Sequence, residues 1–372
     1  MKSKLNTVIL SNVIFLFNLI NCHTQQRLFK CVHTNEDENH PIHNKGIELT
    51  VKQKEERKRR IPETGGEFKD FNIYLDLENV KYEIQQLHLE AHEEFYINSM
   101  QKAVSVLKSL LKVKPLAKDY QLSTHNLRDE LNLTKWNTEM FGDEATGKSF
   151  HNSNIDLVIF GQFADLDDST LATASARGFQ DGDVNKGQPY IGVVKINKNI
   201  NYALPNSEIY FQSVLVHEFT HILGFSKKFF EDYYHNIYTR TDENGLMRYY
   251  LNSRKVLEVA KNYFNCQELE GVELENQGGE GTAASHWEAR ILLGEYMNGY
   301  AYTEEQVISE FTLAVLEDSG YYKANYYTGG LMRYGKNKGC AFLTEKCIDK
   351  TTHKTNETLK MNFMIQLINI KV

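Results

Sequence analysis

Apolar and polar positions alternate along the chain in a way that predicts both strands and helices. Phe71-Asn72-Ile73-Tyr74-Leu75-Asp76 alternates with period two, as a half-buried strand does. From Glu93 to Lys112 the apolar residues Phe95, Ile97, Met100, Val104, Leu107 and Leu111 recur at mainly three and four, which predicts an amphipathic helix. Pro115 bars that helix from continuing. Ile155–Phe160 and Ile191–Ile196 are near-continuous apolar runs and read as strands buried on at least one face. Between them Gly178, Asp181, Gly182, Asp183, Gly187 and Pro189 predict a long loop. Phe211–Leu223 holds no Pro or Gly and reads as a helix, with Gly224 placed to end it. No internal repeat is visible.

The N-terminus reads as an address. Lys2 and Lys4 precede an apolar run from Val8 to Ile20, broken by Ser11, Asn12 and Asn18. Its 13 residues fall short of the roughly 20 that span a bilayer as a helix. Residues 1–22 are therefore expected to be a secretory signal peptide. Residues 23–60 are polar and end in Lys-Glu-Glu-Arg-Lys-Arg-Arg, and they read as a pro-segment with a basic processing site at Arg57–Arg60. Inside it, Cys31 in Phe29-Lys30-Cys31-Val32-His33 is a candidate latency switch, since a thiolate can fill the open position of a catalytic zinc. No later segment is apolar enough to cross a membrane, and the run Met361–Ile370 is short and broken by polar residues. Attachment to a membrane is left open.

Composition narrows the class. The chain has 372 residues, 41% hydrophobic and 24% charged, which is globular and large enough for two or three structural units. Lys plus Arg is 42 and Asp plus Glu is 49, so the formal charge is 42 − 49 = −7, against a general nucleic-acid binder. Five Cys permit one or two bridges but not a disulfide scaffold. Cys266, Cys340 and Cys347 remain beyond the pro-segment, an odd number; pairing of Cys340 with Cys347 is one option the spacing allows without choosing it. Asn132-Leu133-Thr134 and Asn356-Glu357-Thr358 are glycosylation acceptors.

The chemistry concentrates at His217-Glu218-Phe219-Thr220-His221. Two His four apart share one face of a helix, so both imidazoles reach one cation. Glu218 follows the first of them and stands where it can take a proton from water on that cation. With 13 His and 49 acids, chance produces at most about 0.06 such patterns in a chain of this length. The neighbours Val214, Leu215, Val216, Ile222 and Leu223 are apolar, so the helix is buried and its ionisable groups need partners. In the commonest metzincin pattern a third His follows the Gly by three residues; here that position is Lys227, a poor ligand at neutral pH. The best remaining candidate is His286 in Gly281-Thr282-Ala283-Ala284-Ser285-His286-Trp287-Glu288, with Met297 eleven residues on as a candidate apolar floor.

These stretches resemble the leishmanolysin family of zinc metallopeptidases, which interrupts the metzincin motif with a long insertion before the third His. Val216–Ser226 is similar to its active-site helix, and Cys266–Gly281 with Ser285–Glu288 is similar to its third-ligand region. Phe311–Gly320 and Gly339–Cys347 also match, and Cys31-Val32-His33 resembles its pro-segment cysteine. The resemblance implies an α+β, metzincin-like fold, with a mixed sheet packed on the active-site helix and a mostly helical and loop subdomain after it. It implies one Zn2+ per chain held by His217, His221 and His286, Glu218 as catalytic acid and base, and Met297 as the Met-turn residue. The expected organisation is a catalytic subdomain at 61–226, a central subdomain at 227–339 and a truncated C-terminal segment at 340–372. The implied function is a secreted or cell-surface metalloendopeptidase acting on proteins or peptides, in a family linked to cell adhesion, with cell-surface or matrix partners. The alternative is a non-enzymatic surface adhesion protein on the same scaffold. The chain departs from the family at Arg177, near a position where relatives often carry Cys, so one family disulfide is expected to be missing. Tyr321 and Leu331 replace positions that are often Trp, which should alter packing.

Overall fold

The structure, a computed structural model, describes residues 67–345 except 118–119, 144–149, 152–153, 182–183, 205–206, 244, 280, 301–305 and 328–329. The signal peptide, the pro-segment with Cys31, and Cys347 lie outside the described residues.

The frame is a four-stranded mixed sheet. Its strands are β1 (Ile73–Asp76), β2 (Leu157–Ala164), β3 (Ala172–Phe179) and β4 (Pro189–Asn197), in the order β1-β2-β4-β3. β1 and β4 both run parallel to β2, with Ile73 opposite Leu157 and Val158 opposite Ile191. β3 is antiparallel to β4 at the edge, with Ala174 opposite Val194. The parallel core accounts for the unbroken apolar runs, because both faces are covered. Leu157, Ile159, Val194 and Ile196 face the main core. Val158, Phe160, Ile191 and Val193 alternate with them and face a second cluster with Leu122, Leu127, Trp136 and Phe141.

The expected long loop between β2 and β4 is a correction. Part of it, including Gly178, is the edge strand β3. Ala172-Thr-Ala-Ser-Ala-Arg-Gly-Phe179 is short of the branched and aromatic residues that mark strands, so pairing with β4 decides its conformation. Gly178 sits at a bulge in that pairing.

On the main-core face, α1 (Glu78–Gln86) and α2 (Glu93–Leu110) follow β1, and α3 (Glu208–Ile222) follows β4. α2 packs on α3 through Phe95, stacked on Phe211 with centroids 5.4 Å apart, and Tyr96, edge-on to the same ring at 5.6 Å. α3 lies close to the sheet at Gly192, where a Cβ would run into the Ile222 side chain. The protein is thus α+β, as the family resemblance implies.

Beyond α3 come α4 (Lys227–Asp232), the strands β5 (Ile237–Thr241) and β6 (Met247–Leu251), α5 (Arg254–Phe264) and β7 (Val272–Leu274). The helices and loops expected here are joined by an antiparallel sheet, β7-β6-β5. After it come α6 (Ala289–Leu292), α7 (Glu310–Asp318) and α8 (Gly339–Thr344). Cys266, just past α5, is disulfide-bonded to Cys340 in α8, so the Cys340–Cys347 option is not the one formed. Arg177 donates to the Glu130 carbonyl at 2.8 Å. Of the two substituted aromatic positions, Tyr321 is buried and Leu331 exposed. Among the described residues no helix is long and apolar enough to cross a membrane.

Candidate metal centre

α3 carries His217, Glu218 and His221 at its C-terminal end, all buried: Glu218 is 1% exposed and His221 0%. The helix ends in a left-handed turn. Gly224 takes φ +109°, its N–H bonds to the His221 carbonyl at 3.0 Å, and the Phe225 N–H reaches back to the Thr220 carbonyl at 3.2 Å. This turn brings the Phe225 carbonyl to the imidazole of His221, whose Nδ1 donates to it at 2.6 Å. Position 227, where the short motif would place a third His, does meet the site, but through its backbone: the Lys227 N–H donates to Ser285 Oγ at 3.1 Å.

His286 comes from far along the chain and is completely buried. The end of β7 holds it. The Ala284 N–H donates to the Glu275 carbonyl at 2.7 Å, and the Glu275 N–H to the His286 carbonyl at 2.8 Å. Its Nδ1 donates to the Thr282 carbonyl at 2.9 Å. The third imidazole is oriented in the same manner: His217 Nδ1 donates to the Tyr296 carbonyl at 2.6 Å.

The three Nε2 atoms converge. His217 and His221 are 3.1 Å apart at Nε2, and each is 3.2 Å from His286 Nε2. A zinc ion about 2.0–2.1 Å from three nitrogens at near-tetrahedral angles requires them roughly 3.1–3.4 Å apart. The tautomers agree with this. Each Nδ1 proton goes to a carbonyl, so each neutral imidazole turns an Nε2 lone pair to the shared point. Three lone pairs directed at one point repel one another unless a cation lies among them, so the donor set fits a metal ion.

The structure brings together three of the expected site residues directly, His217, His221 and His286, with Glu218 buried next to His217 on the same helix. Met297 is fully buried and lies one residue after Tyr296, whose carbonyl orients His217. Cys31 lies outside the described residues. Sequence reading missed the orienting groups. These are backbone carbonyls, of Phe225, Thr282 and Tyr296, which no residue type announces. Near them lie two side-chain contacts equally unmarked in the sequence: the Tyr296 hydroxyl, 3.0 Å from Thr220 Oγ1, and the Glu295 carboxylate, which accepts the Met297 N–H. Thr220 Oγ1 donates its proton to the Val216 carbonyl, so Tyr296 is the donor in their contact.

A cavity of about 680 Å³ lies apart from these residues, lined among others by Tyr238, Arg248, Glu273, Arg290 and Cys266. Three of its charged groups pair with one another: Glu273 with Arg248 at 2.5 Å and with Arg290 at 3.3 Å.

In this α+β protein three buried imidazoles aim at one point, with one Glu next to the first of them in sequence, a donor set that could hold a metal ion. The profile of the leishmanolysin family, peptidase M8, matches residues 96–362, more than half of the chain, and the chain belongs to that family. It is 50% identical over 95 residues to a leishmanolysin-like peptidase of Drosophila melanogaster, covering 26% of this chain and 14% of that protein. It is 35% identical over 203 residues to a leishmanolysin homolog of Crithidia fasciculata, covering 53% and 29%. It is 31% identical over 242 residues to leishmanolysin of Leishmania major, covering 62% and 38%. The chain spans well under half the length of these curated relatives.

Proposed function

We propose that the protein is a zinc metalloendopeptidase of metzincin type, with His217, His221 and His286 as ligands and Glu218 as general base. The observation that carries this reading is the convergence of the three Nε2 atoms at 3.1–3.2 Å, with all three Nδ1 protons committed to carbonyls. Zinc bound there supplies a Lewis acid that acidifies water and polarises the scissile carbonyl. Glu218, adjacent to His217 and buried, takes the proton of the attacking water and returns it to the leaving amine. The Tyr296, Phe225 and Thr282 carbonyls hold the imidazoles in the ligating tautomer. Met297, fully buried and next in sequence to Tyr296, is the Met-turn residue.

The same reading makes the substrate a protein or peptide and places the protein in the secretory route, as a secreted or surface enzyme. The Cys266–Cys340 disulfide supports that route, since such bridges persist in oxidising compartments. Residues 23–60 act as a pro-segment, with Cys31 as the latency ligand. The competing reading, an adhesion protein that has given up catalysis, is not favoured by a site that retains Glu218 beside all three imidazoles. The test is hydrolysis of denatured protein by the processed wild type and by Glu218→Gln, with zinc measured in both. The proposal expects activity to fall by about 10²–10⁴-fold with zinc retained. Undiminished activity in Glu218→Gln would remove the mechanism.

A further inference from the structure

Glu295 is a fully buried carboxyl that the site chemistry leaves unexplained. It is 0% exposed, and among the described residues no cation pairs with it. Instead it is surrounded by donors. Its Oε2 accepts the Met297 N–H at 2.5 Å. Its Oε1 accepts the hydroxyls of Thr312 at 2.6 Å and Ser309 at 2.8 Å, and the Ser309 N–H at 3.4 Å. Burying an ion without a counter-charge costs several kcal/mol in order of magnitude. A glutamine would fill the same volume at a lower desolvation cost. It could not accept at both ends of the group, and its amide N–H2 would face donors.

The donors connect Glu295 to two of the three imidazoles. Towards His217 the path is short: Glu295 fixes the N–H of Met297, and the intervening residue, Tyr296, offers the carbonyl that takes the Nδ1 proton of His217. Towards His286 the path runs through Trp287, its neighbour in sequence. The Trp287 N–H donates to the Met297 carbonyl at 2.9 Å. The Trp287 indole N–H donates to Thr312 Oγ1 at 2.9 Å, the same hydroxyl that donates to Glu295. Both ends of Trp287 are thus held by groups that Glu295 itself holds. The plainer role, support for the start of α7, is also visible: Ser309 Oγ accepts the Phe311 N–H at 3.2 Å there.

We propose that Glu295 is a positioning residue for the metal centre, the shared anchor that sets His217 through Tyr296 and His286 through Trp287. The proposal rests on the metal reading given above. It does not make Glu295 a ligand or a participant in proton transfer. Its contribution is to keep two imidazoles, 69 residues apart in sequence, at the separation that one ion requires. Ligand-orienting partners of this kind typically change metal affinity by about 10–100-fold when removed.

The test compares wild type, Glu295→Gln and Thr312→Val. Zinc affinity is measured by competition with a chromogenic chelator, the visible spectrum of the Co2+-substituted protein is recorded, and the metal-free proteins are melted. The proposal expects about 10–100-fold weaker zinc binding in Glu295→Gln and a shifted Co2+ band, with the metal-free protein still folded. Thr312→Val keeps the side-chain shape and removes only the shared hydroxyl, so it should shift the Co2+ band in the same direction by less. If zinc affinity and Co2+ spectrum match wild type while only the metal-free melting point falls, Glu295 serves α7 alone and the proposal is overturned. Should Glu295→Gln fail to fold, Thr312→Val decides by the same two readouts. A wild-type protein that binds no zinc overturns the metal reading instead, which separates the two failures.

Discussion

The carbonyl of Tyr296 accepts the Nδ1 proton of His217 at 2.6 Å, across 79 residues of sequence. A backbone atom of a distant loop therefore decides which nitrogen of the first imidazole turns to the other two. The same arrangement recurs at His221 with Phe225 and at His286 with Thr282. The hydrogen bonds of the pocket turn all three Nε2 atoms to one point, and the proposed metal reading draws thermodynamic consequences from this.

Removing the metal should destabilise the protein. Binding to the folded state alone adds about 4 kcal/mol when free zinc is 1,000 times its dissociation constant, and three lone pairs then face one another when the ion leaves. A strong chelator is expected to lower the melting temperature by several degrees, and excess zinc to restore it. A melting temperature indifferent to both would show that the imidazoles are held by packing alone.

Gly224 should tolerate no side chain. Its φ of +109° is outside the range L-residues favour, and a Cβ there would crowd Tyr234 and come within 3.1 Å of the Phe229 ring. Gly224→Ala is expected to cost about 1–3 kcal/mol. It should also weaken zinc binding, because the turn carries the Phe225 carbonyl that orients His221. Denaturant unfolding and metal competition on the same variant measure the two effects. An unchanged zinc affinity would detach the turn from the site.

How far this site could be read in advance follows from where its parts come from. The His217–His221 pair and Glu218 are local, within five consecutive residues of one helix, and a single sequence displays them. His286 was one of several histidines by pattern; its place depends on pairing with the end of β7, a contact that no local signal encodes. The buried strands β2 and β4 are legible as apolar runs, whereas β3, made of small residues, takes its conformation from its neighbour. No local pattern around Glu295 marks it as buried. Only the fold brings Ser309 and Thr312 to it. The disulfide is similar: three cysteines allow several pairings, and the packing of α8 beside the end of α5 selects one.

That disulfide should be a substantial support. It joins cysteines separated by 74 positions, and closing a loop of that size is worth about 4 kcal/mol in the chain-entropy picture. Cys340→Ser is expected to lose most of that in urea unfolding. A loss below about 1 kcal/mol would mean that strain or residual structure in the unfolded chain cancels the constraint.

Glu295 also predicts a pH signature. Burial pushes its carboxyl up to about 7 from an ordinary 4.5, against the pull of its four donors. Between those values the folded protein keeps a proton that the unfolded chain releases, so this group makes stability fall as pH rises through the window. The full effect is on the order of 3 kcal/mol. In metal-free protein, the wild type should lose stability relative to Glu295→Gln from about pH 4.5 to about pH 7. The difference between the two curves cancels the titration of groups they share. Parallel curves across the window would contradict it.

The central claim is that three imidazoles, one of them from far downstream, hold a single zinc ion. Zinc stoichiometry of wild type and His286→Ala, each equilibrated with zinc and freed of excess, tests it most directly. The account predicts one tightly bound ion per wild-type chain and a loss of tight binding in His286→Ala, with that variant still folded. A wild type that retains no zinc, or a His286→Ala protein that holds it as firmly as wild type, would contradict the account.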